Sequence, residues 1–468
     1  MKIKFLGAAQ EVTGSKILII TDAGVKILLD CGMYQGKGED TDKMNRKLGF
    51  DPKEIDFLIL THAHIDHSGL IPYIYKLGFK GKVMCTSATR NLCSIMLPDS
   101  GYIQEFDIKW YNKKLAKKGM SPVEPIYNHK IAADSLNCFF TIPYNKEAYL
   151  TQGVYLEFTN TGHMLGSALA NLTITEWDKT TKIAYSGDIG RPNPKILMPP
   201  ANFPICDYLI MESTYGNRLH SKQEEAEKEL LKIIKYTCEE KKGKLIIPSF
   251  SVGRTQEIVY TLNTFFNNKL LPKVDIYVDS PLSVNATEMF RLHKECFNDE
   301  IRDLFDSDDD VFGFDGLIYV KNINESKRLN NLKKPCIIIS ASGMAEAGRI
   351  KHHIANSIGN KKNTILIVGY CSPTTLGARI QEKNLKTISI FGEQHKVKAE
   401  IKKIESFSGH ADYLEMIDFI NCQDKKNLKQ IFLVHGDNDA QKFFIKELKK
   451  NGFSNIVNPK IDTEFKIT

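Results

Sequence analysis

From the amino terminus to about Glu212 the chain is written in short apolar runs that stop at turn residues: KILIIT, VKILLDCG, FLILTHAH, GKVMCT, VYLEFTNTGH, LANLTITEW, KIAYSGDIG and YLIMESTYG. Runs of aliphatic and β-branched residues bounded by Gly, Asn, Asp and Ser predict strands. Many strands with few long helices predict packed sheets. One interruption, Ser87 to Tyr144, sets apolar residues at helical spacing among charged ones and reads as a helical insertion covering one edge.

After Tyr215 the period changes. SKQEEAEKELLKIIKYTCEEKKG is an amphipathic helix, acidic early and basic late as the helix dipole favours. KLIIPSF, SVGRTQEIVYTLNTFF and KVDIYVDS then alternate strand, helix, strand, and KPCIIISASG and NTILIVGY are apolar strands running into polar turns. That alternation predicts a parallel sheet flanked by helices, with ligand-binding loops at the strands' carboxyl ends. From about Val397 the pattern reverts to strand, turn, helix, strand. The 468 residues exceed the ~250–300 at which one core stops growing. The expected organisation is therefore a domain in two parts, 1–213 and 397–468, with a second domain, 214–396, inserted between them.

Composition narrows the class. With 42% hydrophobic and 25% charged residues the chain is an ordinary globular protein, which excludes disordered and collagen-like readings. The formal charge of +7 permits a polyanionic partner without requiring one. The acidic run DSDDD reads as a solvated loop. Ten cysteines form no C-x-x-C pair, which predicts reduced thiols, and no apolar stretch approaches the ~18 residues of a membrane span. The expected location is the cytoplasm, with no membrane partner.

The chemistry concentrates in LILTHAHIDHSGL. His62 and His64, two apart at the end of an apolar strand, can converge on one ion, while Asp66 and His67 beyond the turn suit a second. Neutral imidazole and carboxylate are ligands of zinc and similar metals. His163 in NTGHMLGS, Asp188 in YSGDIG and His435 in LVHGDND are metal-capable residues at other strand exits, each next to glycine. Singly each fits a turn equally well. Together they supply the remaining ligands of two ions.

These motifs carry a resemblance. THAHIDHSG, TGHMLGSA, YSGDIGR and the DCG at Asp30 resemble the motifs of the metallo-β-lactamase superfamily. MESTYG at Glu212, FSGHADY at His410 and LVHGD at His435 resemble the additional motifs of its β-CASP branch of nucleic-acid-cleaving nucleases, closest to the mRNA 3′-end-processing endonuclease and its prokaryotic relatives. The resemblance implies an α/β fold, an αββα sandwich with an inserted parallel α/β domain. It implies two Zn²⁺ per chain, with Mn²⁺ or Fe²⁺ as replacements: one ion on His62, His64 and His163, the other on Asp66, His67 and His435, and Asp188 bridging. Asp30 is expected behind the ligands, orienting one of them.

The implied reaction is hydrolysis of RNA phosphodiester bonds by a di-metal-activated water, endonucleolytic, leaving 3′-hydroxyl and 5′-phosphate ends. Asp66 would hold or accept the water's proton, and His410, oriented by Glu212, would protonate the leaving oxygen. FSGHADY also fits a helix start, with Ser408 as cap and Asp412 in the first turn. The histidine at 435 implies RNA, since DNA-cutting relatives usually lack it, so single-stranded RNA is the expected partner; a homodimer is left open.

Phosphate contacts are expected from the inserted domain. Ser340, Ser342 and Gly343 lie at a strand exit feeding a helix, and Arg254 and Arg379 add cationic donors. GYCSPTTLGAR departs from the family's pattern at Cys371 and Thr374, which puts the shape of that loop in question. The competing readings are a 5′-to-3′ exoribonuclease, a small-molecule metallo-hydrolase of a thioester or lactam, and a non-catalytic RNA-binding scaffold.

Overall fold

The computed structural model describes all of residues 1–468 except 37, 39, 221–222, 307–309, 370, 372–373 and 405–407. The centre of DSDDD, three residues of GYCSPTTLGAR and Phe407 therefore lie outside the described residues. The chain forms two compact units, Met1–Leu219 with His410–Thr468, and His220–Gly409.

Unit 1 is built on two seven-stranded sheets. In the first the order is Thr463–Lys466, Lys2–Gly7, Lys16–Ile20, Lys26–Leu29, Phe57–Ile59, Lys82–Cys85, Phe139–Thr141. In the second it is Ile456–Val457, Gln430–Val434, Tyr208–Glu212, Lys179–Tyr185, Ala168–Glu176, Val154–Asn160, Ala148–Thr151. Alternate residues of each strand point inward: Ile3 and Phe5, Ile17 and Ile19, Ile27 and Leu29 join Leu156, Phe158, Leu172, Ile183, Ile210, Phe432 and Val434 in one core. The second sheet's other face, through Leu209, Met211, Ile431 and Leu433, packs on Met416 and Ile420 of the helix Tyr413–Ile420 and on Phe444 and Leu448 of Asn438–Lys450. Apolar residues in both registers explain why these strands read as continuous hydrophobic runs.

The segment Ser87–Tyr144 departs from its helical reading at its end. Helices span Ser87–Lys117 and His129–Ser135, but Phe139–Thr141 is an edge strand in parallel register with Lys82–Cys85. Two phenylalanines and a threonine favour strand, and a free sheet edge beside them decides the matter.

Unit 2 carries a six-stranded, all-parallel sheet in the order Leu317–Tyr319, Asp275–Val278, Cys336–Ser340, Lys244–Pro248, Thr364–Val368, Glu400–Ile404. Glu400–Ile404 pairs along its full length with Thr364–Val368, so this unit runs past residue 396, where the sequence pattern suggested the return to the first domain. Among the described residues no helix is long and apolar enough to cross a membrane, and all ten cysteines are free thiols.

Candidate metal centre

In unit 1 the parallel strands aim their carboxyl ends at one edge of the sandwich, where such sheets place ligand-binding groups. The exits after Lys26–Leu29, Phe57–Ile59, Val154–Asn160, Lys179–Tyr185 and Gln430–Val434 release Asp30, the His62–His67 turn, His163, Asp188 and His435, and Tyr208–Glu212 ends in Glu212 itself. His62 and His64 leave non-helical chain, whereas Asp66 and His67 sit in one helical turn, Ile65–Ser68. This change of period parts the two pairs. The turn is stitched to the Asp30-Cys31-Gly32 loop: Cys31 N–H donates to the His67 carbonyl at 2.7 Å, and a Cβ at Gly32 would stand 1.6 Å from the Asp66 carbonyl oxygen. Only glycine allows that approach.

The donor atoms fall into two groups that share Asp188. His62 Nε2 and His163 Nε2 lie 3.1 and 3.2 Å from His64 Nδ1, and both lie 3.4 Å from Asp188 Oδ2. His67 Nε2 and His435 Nε2 are 3.1 Å apart, His435 Nε2 is 3.4 Å from Asp66 Oδ2, and His67 Nε2 is 3.3 Å from Asp188 Oδ1. A tetrahedral site with metal–nitrogen bonds of ~2.0–2.1 Å has edges of about 3.4 Å, so these separations suit a zinc-sized ion in each group.

The hydrogen bonding agrees. His67 Nδ1 donates to Asp30 Oδ2 at 2.7 Å, and Thr214 Oγ1 lies 2.9 Å from His435 Nδ1. With both Nδ1 protons engaged, the facing Nε2 atoms are left to share a proton or a metal ion between them. Asp188 Oδ1, buried, has no hydrogen-bond partner among the described residues. A buried carboxylate oxygen left this way is costly unless a cation meets it.

Charge states follow. Burial, with the neighbouring histidines, pushes His62 and His163 below the ordinary imidazole range and His64 to about 3, keeping them neutral as metal ligands must be. Burial alone would lower His67, but the Asp188 and Asp30 carboxylates raise it instead. Burial opposes ionisation of Asp66, yet the His435 contact and the His67 charge hold its carboxyl below the usual range.

Glu212 and His410 form a separate pair beside the ligands. His410 Nδ1 is 3.2 Å from each oxygen of the buried Glu212 carboxylate and 3.9 Å from Asp188 Oδ2. Ile189 N–H and Thr214 N–H also donate to Glu212, at 2.6 and 3.3 Å, so it positions His410 rather than offering a free ligand. Although burial works against the charge, Glu212 and then Asp188 raise His410 to about 9. Of the groups at this edge, the Asp66 and His410 side chains keep about a fifth of their surface accessible, 20% and 22%. The following helix begins later than Ser408 would cap it. Asp412 is the cap: its carboxylate accepts from Leu414 and Glu415 N–H, and Glu415 accepts from Asp412 N–H, a reciprocal box.

The hydroxyls of Thr61, Tyr185, Ser167 and Thr214 escaped the sequence reading. Asp30, at φ +54°, accepts from Thr61 N–H at 2.8 Å, Thr61 Oγ1 at 2.9 Å and Tyr185 O–H at 2.8 Å as well as from His67. Ser167 Oγ accepts from His163 N–H at 3.0 Å. Each is a lone hydroxyl, whose only signal is its place next to a ligand-bearing turn.

The other five site candidates lie at the carboxyl edge of the parallel sheet in unit 2. Ser340 is buried and its hydroxyl donates to the Asp279 carbonyl at 2.7 Å. Ser342 exchanges hydrogen bonds with the backbone of Ala347, and the helix expected directly after this turn begins only at Arg349. Gly343 packs under the Phe250 ring, which a Cβ would meet at 2.7 Å. Arg254 pairs with Glu257, whereas Arg379 is exposed in the short helix Leu376–Arg379. Cys371, half-buried, contacts the Gly343 carbonyl through Sγ.

Comparison with known proteins bears on all of this. Residues 11–239 match the metallo-β-lactamase superfamily, 255–380 a β-CASP domain, and 394–459 a Zn-dependent metallo-hydrolase RNA specificity domain. The chain is 33% identical over 440 residues to a Thermus thermophilus protein named ribonuclease TTHA0252, covering 94% of each. It is 31% identical over 446 residues to transcription termination factor FttA of Methanocaldococcus jannaschii, covering 93% of this chain and 67% of that one. An RNase J-like protein of the same archaeon is 32% identical over 438 residues, 93% of this chain and 92% of its own.

Proposed function

The chain belongs to the β-CASP branch of the metallo-β-lactamase superfamily, and we propose that it is a metal-dependent endoribonuclease that hydrolyses single-stranded RNA to 3′-hydroxyl and 5′-phosphate ends. The observation that carries this reading is the His410–Glu212 pair set beside Asp188. A protonated imidazole next to the donor cluster is what a departing 3′-oxygen needs. A thioester hydrolase, whose thiolate leaves without protonation, has no such requirement. The names of the relatives, and the match to an RNA specificity domain, favour RNA over a small molecule.

His62, His64 and His163 would hold one divalent ion, Asp66, His67 and His435 a second, with Asp188 between them; zinc is the expected metal, and manganese or iron also suit His/Asp donors. When bound, the ions supply Lewis acidity, which acidifies water and offsets the charge of the phosphate. Asp66, ionised and partly accessible, holds the attacking water and takes its proton. Water adds to phosphorus, the bond from phosphorus to the 3′-oxygen breaks, and His410 delivers a proton to that oxygen. Glu212 fixes the His410 tautomer through Nδ1, leaving the other ring nitrogen to donate. Asp30 holds His67, and Thr214 holds His435, with Nε2 free. In unit 2 the exposed Arg379 is the candidate phosphate donor, since Ser340, Ser342 and Arg254 are engaged internally.

The test is cleavage of a 5′-end-labelled single-stranded RNA by the enzyme and by Asp66→Ala, with and without chelator. Internal cuts lost in both controls are expected. Release of labelled mononucleotide first would make the enzyme a 5′ exonuclease. Intact RNA after incubation with metal-loaded protein would overturn the reading.

A further inference from the structure

The helix Ser87–Lys117 starts at the metal centre and runs away from it. Thr86 and Thr89 donate to the carbonyl of Gly166, in the loop that carries His163, at 2.7 and 2.9 Å. At ~1.5 Å per residue, Tyr102 to Trp110 then lie roughly 20–30 Å further along the axis.

One face of this distal half is anchored. Gly101 packs so closely that a Cβ would meet the His129 backbone nitrogen at 2.7 Å, and Tyr127 O–H donates to Ser100 Oγ at 3.0 Å. Asn112 makes two hydrogen bonds to the Val123 backbone, both 2.9 Å, and Leu115 is buried. The helix is thus held rigidly on that side.

The other face is aromatic and basic. Tyr102, Phe106 and Trp110, each one turn from the next, are 63, 66 and 60% exposed. Glu105 and Asp107 flank Phe106, but from Lys109 onward Lys113, Lys114, Lys117 and Lys118 follow with no acidic residue before Glu124. The Lys114 ammonium sits 3.5 Å from the centre of the Trp110 ring. Exposed rings at regular spacing, running into a cluster of lysines that outnumbers the neighbouring acids, match a ligand that offers both flat π-faces and negative charge. A second copy of the chain does not: a two-fold contact through this face would bring the same lysines of both copies together.

We propose that the Tyr102–Phe106–Trp110 row and its flanking lysines form a docking arm for single-stranded RNA, stacking bases and holding phosphates remote from the cut. The proposal rests on the ribonuclease reading for its substrate. It places the arm's effect in the capture of long RNA, with no part in bond cleavage.

Two measurements test it. The first compares the enzyme with its Tyr102→Ala, Phe106→Ala, Trp110→Ala variant on a long unstructured RNA and on one too short to reach the arm. The KM for long RNA should rise about ten-fold or more, with kcat and the short substrate unaffected. The second uses one of the chain's two tryptophans as the reporter: Trp177→Phe leaves only Trp110, and His410→Ala slows cleavage enough for titration. An oligouridylate of about 20 nucleotides should quench Trp110 emission saturably, and less so as salt rises. Unchanged KM for long RNA in the triple variant overturns the proposal. So does a triple variant that converts a dimer to a monomer without weakening RNA binding, since a second copy then covers the face. Quenching by RNA that the parent enzyme never cuts would refute the nuclease and keep the arm; cleavage without quenching would do the reverse.

Discussion

Two buried aspartates follow parallel strands in this protein, Asp188 in unit 1 and Asp279 in unit 2, and their surroundings are opposite. Asp279 is saturated from within: Arg349 Nη1 and His353 Nε2 reach it at 2.6 Å, and Ser326 Oγ donates at 2.5 Å. Asp188 faces nitrogens of His62, His67, His163 and His435 at 3.3 to 3.5 Å, and among the described residues one of its oxygens accepts no hydrogen bond. Both carboxylates carry a large desolvation cost. In unit 2 the chain offsets it with hydrogen-bonded partners, and the result is a rigid sheet edge. In unit 1 the partners stand back at the separation of ligands around an ion. The lesson is that topology marks both places as potential sites, and the completeness of the hydrogen bonding tells a structural charge from a functional one.

The sharpest way to break this comparison is to neutralise Asp188. Asp188→Asn should lower the RNA-cleavage rate on the order of 10³-fold or more, because the charge that joins the two donor groups is lost. Metal analysis should show fewer ions per chain. Full activity at full metal content would remove Asp188 from the centre. The matching change in unit 2 acts on stability. Asp279→Ala strands the Arg349 guanidinium and should cost about 3–5 kcal/mol in urea unfolding while leaving metal content unchanged.

A smaller effect is expected behind the ligands. Asp30→Asn keeps the shape but weakens the grip on His67, and metal affinity should fall ~10–100-fold in a competition titration with a chelating dye. Unaltered affinity would mean that a neutral amide at this position orients the His67 ring as well as the carboxylate does. The smallest effect is on pH dependence. Burial works against the Asp279 charge, but His353, Ser326 and Arg349 hold its carboxyl below the ordinary range. A depressed folded pKa stabilises the fold above the unfolded value of about 4, and that contribution is lost as pH falls through the folded one. Lowering pH from 5 to about 2 should therefore shift the urea midpoint more in the parent than in Asp279→Asn. Equal shifts would show that other carboxylates govern acid stability.

What could be read from the sequence divides along the same line. His62, His64, Asp66 and His67 announce themselves because ionisable residues interrupt an apolar run, and His163, Asp188 and His435 repeat that signature at other strand exits. Asp30 carried no such signal apart from the family resemblance, since its role depends on His67 and Tyr185, residues far along the chain. Asp279, Arg349 and His353 were passed over for the same reason: nothing local links an aspartate to an arginine in a later helix. The strand Glu400–Ile404 was placed with the first domain because three charged residues among five suit an edge strand of either unit. Phe139–Thr141 was hidden at the end of a helical run. In each case the deciding contact was non-local.

The discontinuity of unit 1 has a temporal consequence. His62, His64, Asp66, His67, His163 and Asp188 leave the ribosome early, followed by all of unit 2, and only then come His410 and His435 with the strand Gln430–Val434 that pairs beside Tyr208–Glu212. Chains fold as they emerge, amino-terminal parts first. A nascent chain short of residue 410 has most of the donor atoms but neither His410 nor the last histidine. The set of donor residues is therefore completed only at the end of synthesis, after all of unit 2 has been made.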